Sequence, residues 1–162
     1  MKFKLVISRE ANLYFFIQNL SAWHVSNSTR HNDYWIEQTG ELTTEEKELL
    51  EKFAELHQTY TFGENYLGKA FYMLNGYQLL EELPDTQQMF ISKIIDTFEP
   101  RFERVHSSDL ANLNLWKEML SASINNITDP VVNDLSQVYG LDSKPSQTVT
   151  VQLLLSSPKQ SG

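Results

Sequence analysis

The stretch TVTVQLLL, residues 148–155, decides whether this chain is all-helical or also contains strands. Apolar residues fill every second position of it, and Thr148, Thr150 and Gln152 stand between them. This period of two predicts a strand with one buried face. Residues 2–8 show the same alternation, so a strand is predicted near each terminus. The two strands could pair, although an isolated two-stranded ribbon is marginally stable unless helices cover it or further strands join.

Between the two strands, apolar residues recur mostly at spacings of three and four, which is typical of helices that bury one face. The predicted helices cover residues 11–20, 43–60, 66–74, 89–98, 110–124 and 130–139. A polar, turn-forming stretch over residues 26–33 predicts a loop. We therefore expect a predominantly helical α+β fold, with about six helices and a short strand near each terminus.

The most specific local signal for a helix start is LTTEE at residues 42–46. The Thr43 hydroxyl can accept a hydrogen bond from the Glu46 amide, while the Glu46 carboxylate accepts one from the Thr43 amide. We therefore expect a helix to begin at Thr43.

Proline and serine residues mark the predicted breaks later in the chain. Pro100 lacks an amide hydrogen and its ring clashes with the preceding turn, so it should stop or kink the helix before it. Ser107 or Ser108 is then expected to cap the next helix. Asp129 followed by Pro130 is expected to begin the last one.

Length, charge and cysteine content exclude several classes of function. The 162 residues fit a single domain over residues 1–162. The formal net charge is −8, from 21 acidic and 13 basic side chains, so the protein repels phosphate backbones and anionic lipid. We therefore expect neither nucleic acid nor a membrane as a partner, and no stretch approaches the roughly 20 apolar residues that cross a bilayer. A cysteine-free chain has no disulfide, thiolate metal site or cysteine nucleophile, and we expect it in the reducing cytoplasm.

No complete catalytic, cofactor or metal motif occurs in the sequence, so no catalytic, cofactor-binding or metal-ligating residue is predicted, and whether the chain is an enzyme stays open. The four histidines do not form the pair, four residues apart on one helix, that zinc hydrolases use. His24 and His31 flank a predicted loop and are expected to be hydrogen-bonded loop or surface residues. His57 is expected at the half-buried edge of a helix, and His106 just before a helix start.

Acidic and aromatic side chains form two further clusters. The clustered glutamates are Glu45, Glu46, Glu48, Glu51 and Glu55. Paired carboxylates can do acid–base chemistry, but on a capped helix these are expected to form a solvated face. Aromatic residues crowd the first half of the chain, for example Tyr34 and Trp35. They indicate either a protein-contact surface or a core shared with a missing partner or domain.

Tyr34 and Trp35 lead into GELTTEE at residues 40–46, and the last strand continues as VTVQLLLSSP at residues 149–158. With these strings, the order of elements resembles the N-terminal half of zinc metallopeptidase-like proteins. In that family, such a strand and proline-bearing loop lead towards a His-Glu-x-x-His motif, which this sequence lacks. The resemblance therefore implies a non-catalytic N-terminal portion, with peptidase activity dependent on a missing C-terminal domain. No catalytic or metal residue is carried over.

The alternative is that the chain is a complete small acidic helical module that binds another protein. The charge of −8 would speed association with a basic partner. The two hypotheses differ in whether the reading frame continues past Gly162.

Overall fold

The computed structural model describes residues 2–21, 25–59, 83–140 and 148–155. Its elements are β1 (Lys2–Val6), α1 (Arg9–Leu20), α2 (Val25–Thr39), α3 (Thr44–Thr59), α4 (Asp85–Val138) and β2 (Thr148–Gln152). The fold is therefore mostly helical α+β, as expected, with four helices in these ranges. The helix predicted over residues 66–74 lies outside the described residues. None of the described helices is both long enough and apolar enough to cross a bilayer.

The two strands predicted near the termini pair with each other in a parallel sheet. Phe3 lies opposite Val149 and Leu5 opposite Val151, so the alternating apolar residues of both strands share one face. Parallel neighbours need a long crossover connection, and here the helices α1 to α4 lie between the two strands in the chain. The four described helices therefore all lie between the two paired strands in sequence.

α4 is a single helix of 54 residues, which corrects the predicted breaks. It runs through Pro100 and Pro130, so Ser107 and Ser108 lie inside a helix instead of capping one. The three helices predicted between residues 89 and 139 are therefore parts of one helix.

Packing on both sides of Pro100 explains why α4 continues. Phe98 and Phe102 are completely buried, and each such side chain stabilises the fold by roughly 2–3 kcal/mol. Proline inside a helix costs about 3 kcal/mol. Pro100 itself is exposed, so its ring occupies no space in the core. Burial of the two flanking aromatic rings therefore outweighs the cost of the proline.

The chain divides into two compact units. The strand unit consists of Met1–Ser8 and Leu110–Leu153, and includes β1, β2 and the second half of α4. The helical unit consists of Arg9–Asp109 and Leu154–Gly162, and includes α1, α2, α3 and the first half of α4. The expectation of one domain over residues 1–162 stays a prediction.

The core of the helical unit is built around α1, in which nine of the 12 residues are buried. The Phe16 ring lies 5.1 Å from the Trp35 ring of α2 and 6.0 Å from the Phe102 ring of α4. The Tyr14 ring lies 5.8 Å from the Phe53 ring of α3. α1 therefore packs against all three other described helices.

α2 occupies the stretch at residues 26–33 where a loop was predicted, so that prediction is wrong. Serine and asparagine disfavour a helix only weakly, by less than about 0.7 kcal/mol per residue. Trp35, later in the same helix, is completely buried, and its burial outweighs these preferences. The helix ends at Gly40, which has φ 91° and donates from its amide to the Ile36 carbonyl at 2.7 Å. Glycine adopts this left-handed conformation without a Cβ clash.

α3 begins with the predicted capping box. The Glu46 amide donates to Thr43 Oγ1 at 3.2 Å, and the Thr43 amide donates to Glu46 Oε2 at 2.7 Å. The prediction that a helix starts at Thr43 is confirmed.

Replacing Thr43 by alanine is expected to destabilise the protein by about 1 kcal/mol, because an amide of the first turn of α3 loses its acceptor. Thr44→Ala, at the exposed next position, is the control and should change stability by less than about 0.5 kcal/mol. Urea unfolding followed by far-ultraviolet circular dichroism measures both variants. Equal losses in the two would show that the capping box contributes nothing.

Candidate functional site

Two of the four histidines have side chains that the structure describes. His24 lies outside the described residues, and so does the side chain of His31, although the backbone of His31 belongs to α2. His57 lies in α3 and His106 in α4, and both side chains are buried. The prediction that His106 precedes a helix start is wrong, because α4 is continuous there.

His57 lies in the core of the helical unit, so its predicted place at a half-buried edge is wrong. Its side chain is completely buried, and its Nε2 lies 3.1 Å from Gln18 Nε2. Its ring stacks on the Tyr14 ring with 6.0 Å between centroids. Burial lowers the pKa of His57 to about 4, because the charged imidazolium would lose its hydration. His57 is therefore a neutral, hydrogen-bonded core residue at physiological pH.

The other buried histidine belongs to a line of ionisable side chains on α4, which we call the ionisable row: Glu99, Glu103, His106 and Asp109. Successive members are four, three and three residues apart, so they share one face of the helix. Arg9, at the start of α1, donates from Nη2 to Glu99 Oε1 at 2.5 Å and from Nε to Glu103 Oε1 at 2.8 Å. The row thus ties the first residue of α1 to α4.

Burial controls protonation in the C-terminal half of the ionisable row. His106 is 7% exposed, and its ring stacks on Phe102 with 4.8 Å between centroids. Burial lowers the pKa of His106 and raises the pKa of Asp109. Both shifts favour the neutral forms. Within the described residues, the buried Nε2 of His106 has no hydrogen-bond partner.

Ion pairs with Arg9 connect the ionisable row of α4 to the start of α1. Arg9 compensates both glutamates, and its guanidinium carbon also lies 5.6 Å from the centre of the Phe102 ring, within range of a cation–π contact. In the part of the chain that the structure describes, no three histidine or carboxylate side chains are placed to hold a metal ion. The row was not predicted from the sequence, because the predicted break at Pro100 separated Glu99 from the other members. Their regular spacing was the signal that could have found it.

Arg101 holds the end of α2 against the start of α3. Its guanidinium pairs with the Glu46 carboxylate through two hydrogen bonds, of 2.6 Å from Nε and 2.8 Å from Nη2. The same guanidinium donates to the carbonyls of Thr39, Gly40 and Glu41, at 3.0, 2.6 and 2.8 Å. Burial alone would raise the pKa of Glu46, but hydrogen bonds from Arg101 and from the capping box outweigh it and lower this pKa. Arg101 thus supplies donors to carbonyls around a helix end, where intrahelical partners run out.

The other glutamates of α3 form the solvated face that the sequence predicted. The exposed ones are Glu45, Glu48, Glu51 and Glu55. Glu45 lies 3.4 Å from Lys93 Nζ, but both side chains are largely exposed, and such pairs contribute little to stability. Glu46 is the exception to the prediction, because it is partly buried and paired with Arg101.

The described aromatic residues of the first half mostly build the core. Tyr14, Phe16 and Trp35 are each at most 1% exposed, so of the two interpretations, a contact surface is wrong for these three. The aromatic residues that lie outside the described ranges include Trp23, Tyr66, Phe71, Tyr72 and Tyr77. Strongly exposed aromatic side chains occur instead near the end of the chain, at Trp116 and Tyr139.

Two clefts lie on the helical unit. One, of about 660 Å³, is lined by Gln88, Met89, Ser92, Lys93, Asp96 and Thr97. Another, of about 330 Å³, is lined by Lys52, Glu55, Leu56, Thr86, Gln87 and Phe90. Among the lining residues that the structure describes, each cleft has one carboxylate, Asp96 in the larger and Glu55 in the smaller, and no histidine.

The second half of α4 carries a line of exposed apolar side chains, which we call the α4 face: Trp116, Met119, Ile127, Val131 and Val138. Each is at least half exposed, from 50% for Val131 to 77% for Val138. Successive members are three, eight, four and seven residues apart, which at 100° per residue places all five within an arc of about 120° around the helix, together with the exposed Asp134. They therefore lie along one side of the helix.

The strand unit, which carries the α4 face, has no net formal charge. Its residues include four basic and four acidic side chains. The whole charge of −8 therefore belongs to the helical unit. A basic partner would be attracted to the helical unit, whereas the α4 face offers apolar contact.

Arg9 of α1 pairs with both glutamates of the ionisable row, whereas the side chains of the α4 face are exposed. Comparisons with models of known protein families, with curated proteins and with solved structures give no match for this chain.

Proposed function

We propose that this chain is a protein-binding module and that the α4 face is its docking surface. The observation that carries the proposal is the exposure of Trp116, Met119 and Ile127, each more than half exposed on one side of one helix. The exposed fractions of the five side chains amount to an apolar area on the order of 500 Å², distributed along 23 residues of α4.

The residue types of the α4 face also support binding to protein. Tryptophan and methionine are enriched at protein interfaces, whereas charged residues are depleted from interface cores. An amphipathic helix that lays its apolar side against a partner is a common mode of recognition. Because this contact is apolar, we expect it to persist at high salt, unlike binding of a basic partner to the acidic helical unit.

A photo-crosslinking amino acid at position 119 tests the proposal in native lysate. We expect a cross-linked protein product that persists at high salt, is lost when Trp116→Glu is added, and is retained with Asn114→Glu. Asn114 is the matched control because it is an exposed polar residue two positions from Trp116, where side chains do not share a face. No product, or a product that Trp116→Glu leaves unchanged, would contradict the proposal.

A second candidate is that the chain forms the non-catalytic N-terminal portion of a zinc metallopeptidase-like protein. The observation that favours it is the size of the sheet, which in the described residues has two strands, whereas sheets that are stable alone have three or more. A missing C-terminal domain would add strands. Sequencing the DNA past the codon of Gly162 tests this: an open frame with a His-Glu-x-x-His helix supports it, and an immediate stop codon rules it out.

We further propose that the protein acts in the cytoplasm, because a chain without cysteine needs no oxidising compartment to fold. Cell fractionation with an antibody to the native protein tests this. Recovery in the secreted fraction would contradict it.

A further inference from the structure

We infer that His106 operates an acid-responsive switch: once its ring carries a proton, Glu103 exchanges Arg9 for His106 as its partner. The exchange weakens the connection between the start of α1 and α4. All three residues belong to the helical unit, so the inference is independent of the α4 face and of the proposed docking. A histidine whose protonation biases a structure between two arrangements is a common pH-sensing element.

While His106 is neutral, two carboxylates of the ionisable row share a single cation. Arg9 donates from Nη2 to Glu99 Oε1 at 2.5 Å and from Nε to Glu103 Oε1 at 2.8 Å. A proton on His106 supplies a second cation on the same face of α4. Glu103 can then pair with His106, and Arg9 retains its other glutamate. Each carboxylate thereby has a base of its own, and hydrogen bonds between ionised groups are the stronger kind.

Glu103 is placed to serve either base. It lies three residues before His106, a spacing at which opposite charges on a helix interact. Its Oε1 accepts from Arg9, while its Oε2 lies 3.4 Å from Oγ of Ser107, the residue that follows His106. Asp109 is the carboxyl group on the other side of His106, but burial raises its pKa and favours its neutral form. The ionised acceptor for His106 is therefore Glu103.

Burial gives a protonated His106 ring a strong need for that acceptor. The residue is 7% exposed, and within the described residues its buried Nε2 has no hydrogen-bond partner. Both ring nitrogens of an imidazolium are donors, and a buried charge without a partner is costly. The ring also stacks on Phe102, whose centroid lies 5.6 Å from the Arg9 guanidinium carbon, so a second cation arises close to the first. Transfer of Glu103 to His106 relieves both costs.

The surroundings of His106 set the pH range of the switch. Burial is the largest influence on the pKa of His106 and lowers it from 6.5. Among the described groups, Glu103 and Asp109 favour the proton, Arg9 of α1 opposes it, and Tyr34 of α2 acts on Asp109. The neutral arrangement is therefore complete above about pH 6.5 and is lost as the pH falls through the lowered pKa of His106.

NMR spectroscopy of the wild-type chain tests the exchange directly. The Arg9 Nε–H is protected from exchange with water while it is bonded to Glu103. On acidification we expect its exchange to accelerate relative to the Nε–H of the exposed Arg104, by up to about tenfold per pH unit, because the new arrangement binds one more proton. The midpoint should equal that of the His106 ring titration. Unchanged protection of the Arg9 Nε–H throughout the His106 titration would overturn the inference.

Two glutamine variants separate this switch from a general loss of the ion pairs. Glu103→Gln should lower the midpoint of the His106 titration, because it removes the carboxylate that receives the protonated ring. Glu99→Gln is the matched control: it also removes a partner of Arg9, but it lies seven residues from His106 and should change the midpoint much less. Circular dichroism verifies that both variants are folded. Equal shifts of the midpoint in the two variants would contradict the exchange of Glu103.

His106→Gln provides the complementary test, because glutamine keeps a polar side chain but does not titrate. In this variant we expect the Arg9 Nε–H to stay protected over the pH range in which it becomes exposed in the wild type. His57→Gln, which removes the other buried histidine, should leave the wild-type response in place. An acid response that persists in His106→Gln and disappears in His57→Gln would assign the switch to His57 and overturn the inference.

Discussion

Replacing Arg101 by alanine is expected to lower the free energy of unfolding by about 3–5 kcal/mol. The substitution leaves the Glu46 carboxylate without its bidentate partner and removes a donor from the carbonyls of Thr39, Gly40 and Glu41. The Arg101 and Glu46 side chains are only 14% and 12% exposed, so water replaces the bonds between them poorly, whereas the bonds to the Gly40 and Glu41 carbonyls are exposed and contribute less. Chemical unfolding monitored by circular dichroism measures the loss.

Two further substitutions separate the geometry of Arg101 from its charge. Arg104→Ala is the matched control, because Arg104 is exposed and makes a longer, 3.4 Å bond to the Thr39 carbonyl. We expect it to cost less than about 1 kcal/mol. Arg101→Lys should recover only part of the stability, because an ammonium group cannot form the planar bidentate pair. Equal losses in the free energy of unfolding for Arg101→Ala and Arg104→Ala would show that the contacts of Arg101 contribute no more to stability than the single long bond of Arg104.

A double-mutant cycle with Glu46→Gln measures the ion pair itself. We expect a coupling free energy of about 1–3 kcal/mol between Arg101 and Glu46. The remainder of the Arg101→Ala effect then belongs to the carbonyls at the end of α2. A coupling near zero would contradict the bidentate pair.

Acidification is expected to destabilise the protein through His57 well before most carboxylates become protonated. In the unfolded chain His57 has its ordinary pKa of 6.5, whereas burial in the folded chain lowers it to about 4. Between these values the unfolded chain binds a proton that the folded chain does not. Stability is therefore complete above about pH 6.5 and falls by about 1.4 kcal/mol per pH unit towards pH 4, or about 3 kcal/mol in all.

His57→Gln is the matched variant for this pH dependence, because glutamine keeps a hydrogen-bonding side chain but does not titrate. His106, whose pKa burial also lowers, acts in the same direction, so the difference between wild type and variant isolates His57. Urea unfolding at a series of pH values between about 7 and 4 measures it. Parallel stability curves for the two proteins would contradict the assignment, and an NMR titration of the His57 ring gives its pKa directly.

Local sequence signals predicted the elements whose causes are local. The alternation in residues 148–155 predicted β2, and the capping box at Thr43 predicted the start of α3. Both depend on neighbours within a few residues: side chains alternate in direction along a strand, and a cap bonds amides of its own first turn. Such features therefore do not depend on contacts with distant parts of the chain.

The helix breaks were predicted wrongly because local preference was weaker than packing. The sequence shows Pro100, which destabilises its helix by about 3 kcal/mol. Burial of Phe98 and Phe102 contributes a larger favourable free energy. That burial requires partners far away in the chain, which the local sequence does not show. The same holds for residues 26–33, where the burial of Trp35 outweighs a run of weak helix formers.

The candidate sites were harder to predict from the sequence than the helices and strands, because they depend on contacts made only in the folded chain. Regular spacing could have shown the ionisable row once Pro100 was allowed inside a helix, but nothing in the sequence pairs the row with Arg9. Periodicity likewise marked the apolar side chains of the second half of α4, yet it could not tell which of them are buried. Leu113 and Val132 are buried, whereas Trp116 and Val131 are exposed.

By itself, the sequence determined the fold class, the two terminal strands, the start of α3 and the acidic balance, because these follow from local periodicity, capping chemistry and counting. The tertiary structure alone decided that α4 is continuous, that His57 is buried and neutral, that Arg101 joins α2 to α3, and that the α4 face is exposed. Each of these depends on contacts between residues far apart in the chain, and the energy of such contacts is set by burial, which no single stretch of sequence specifies.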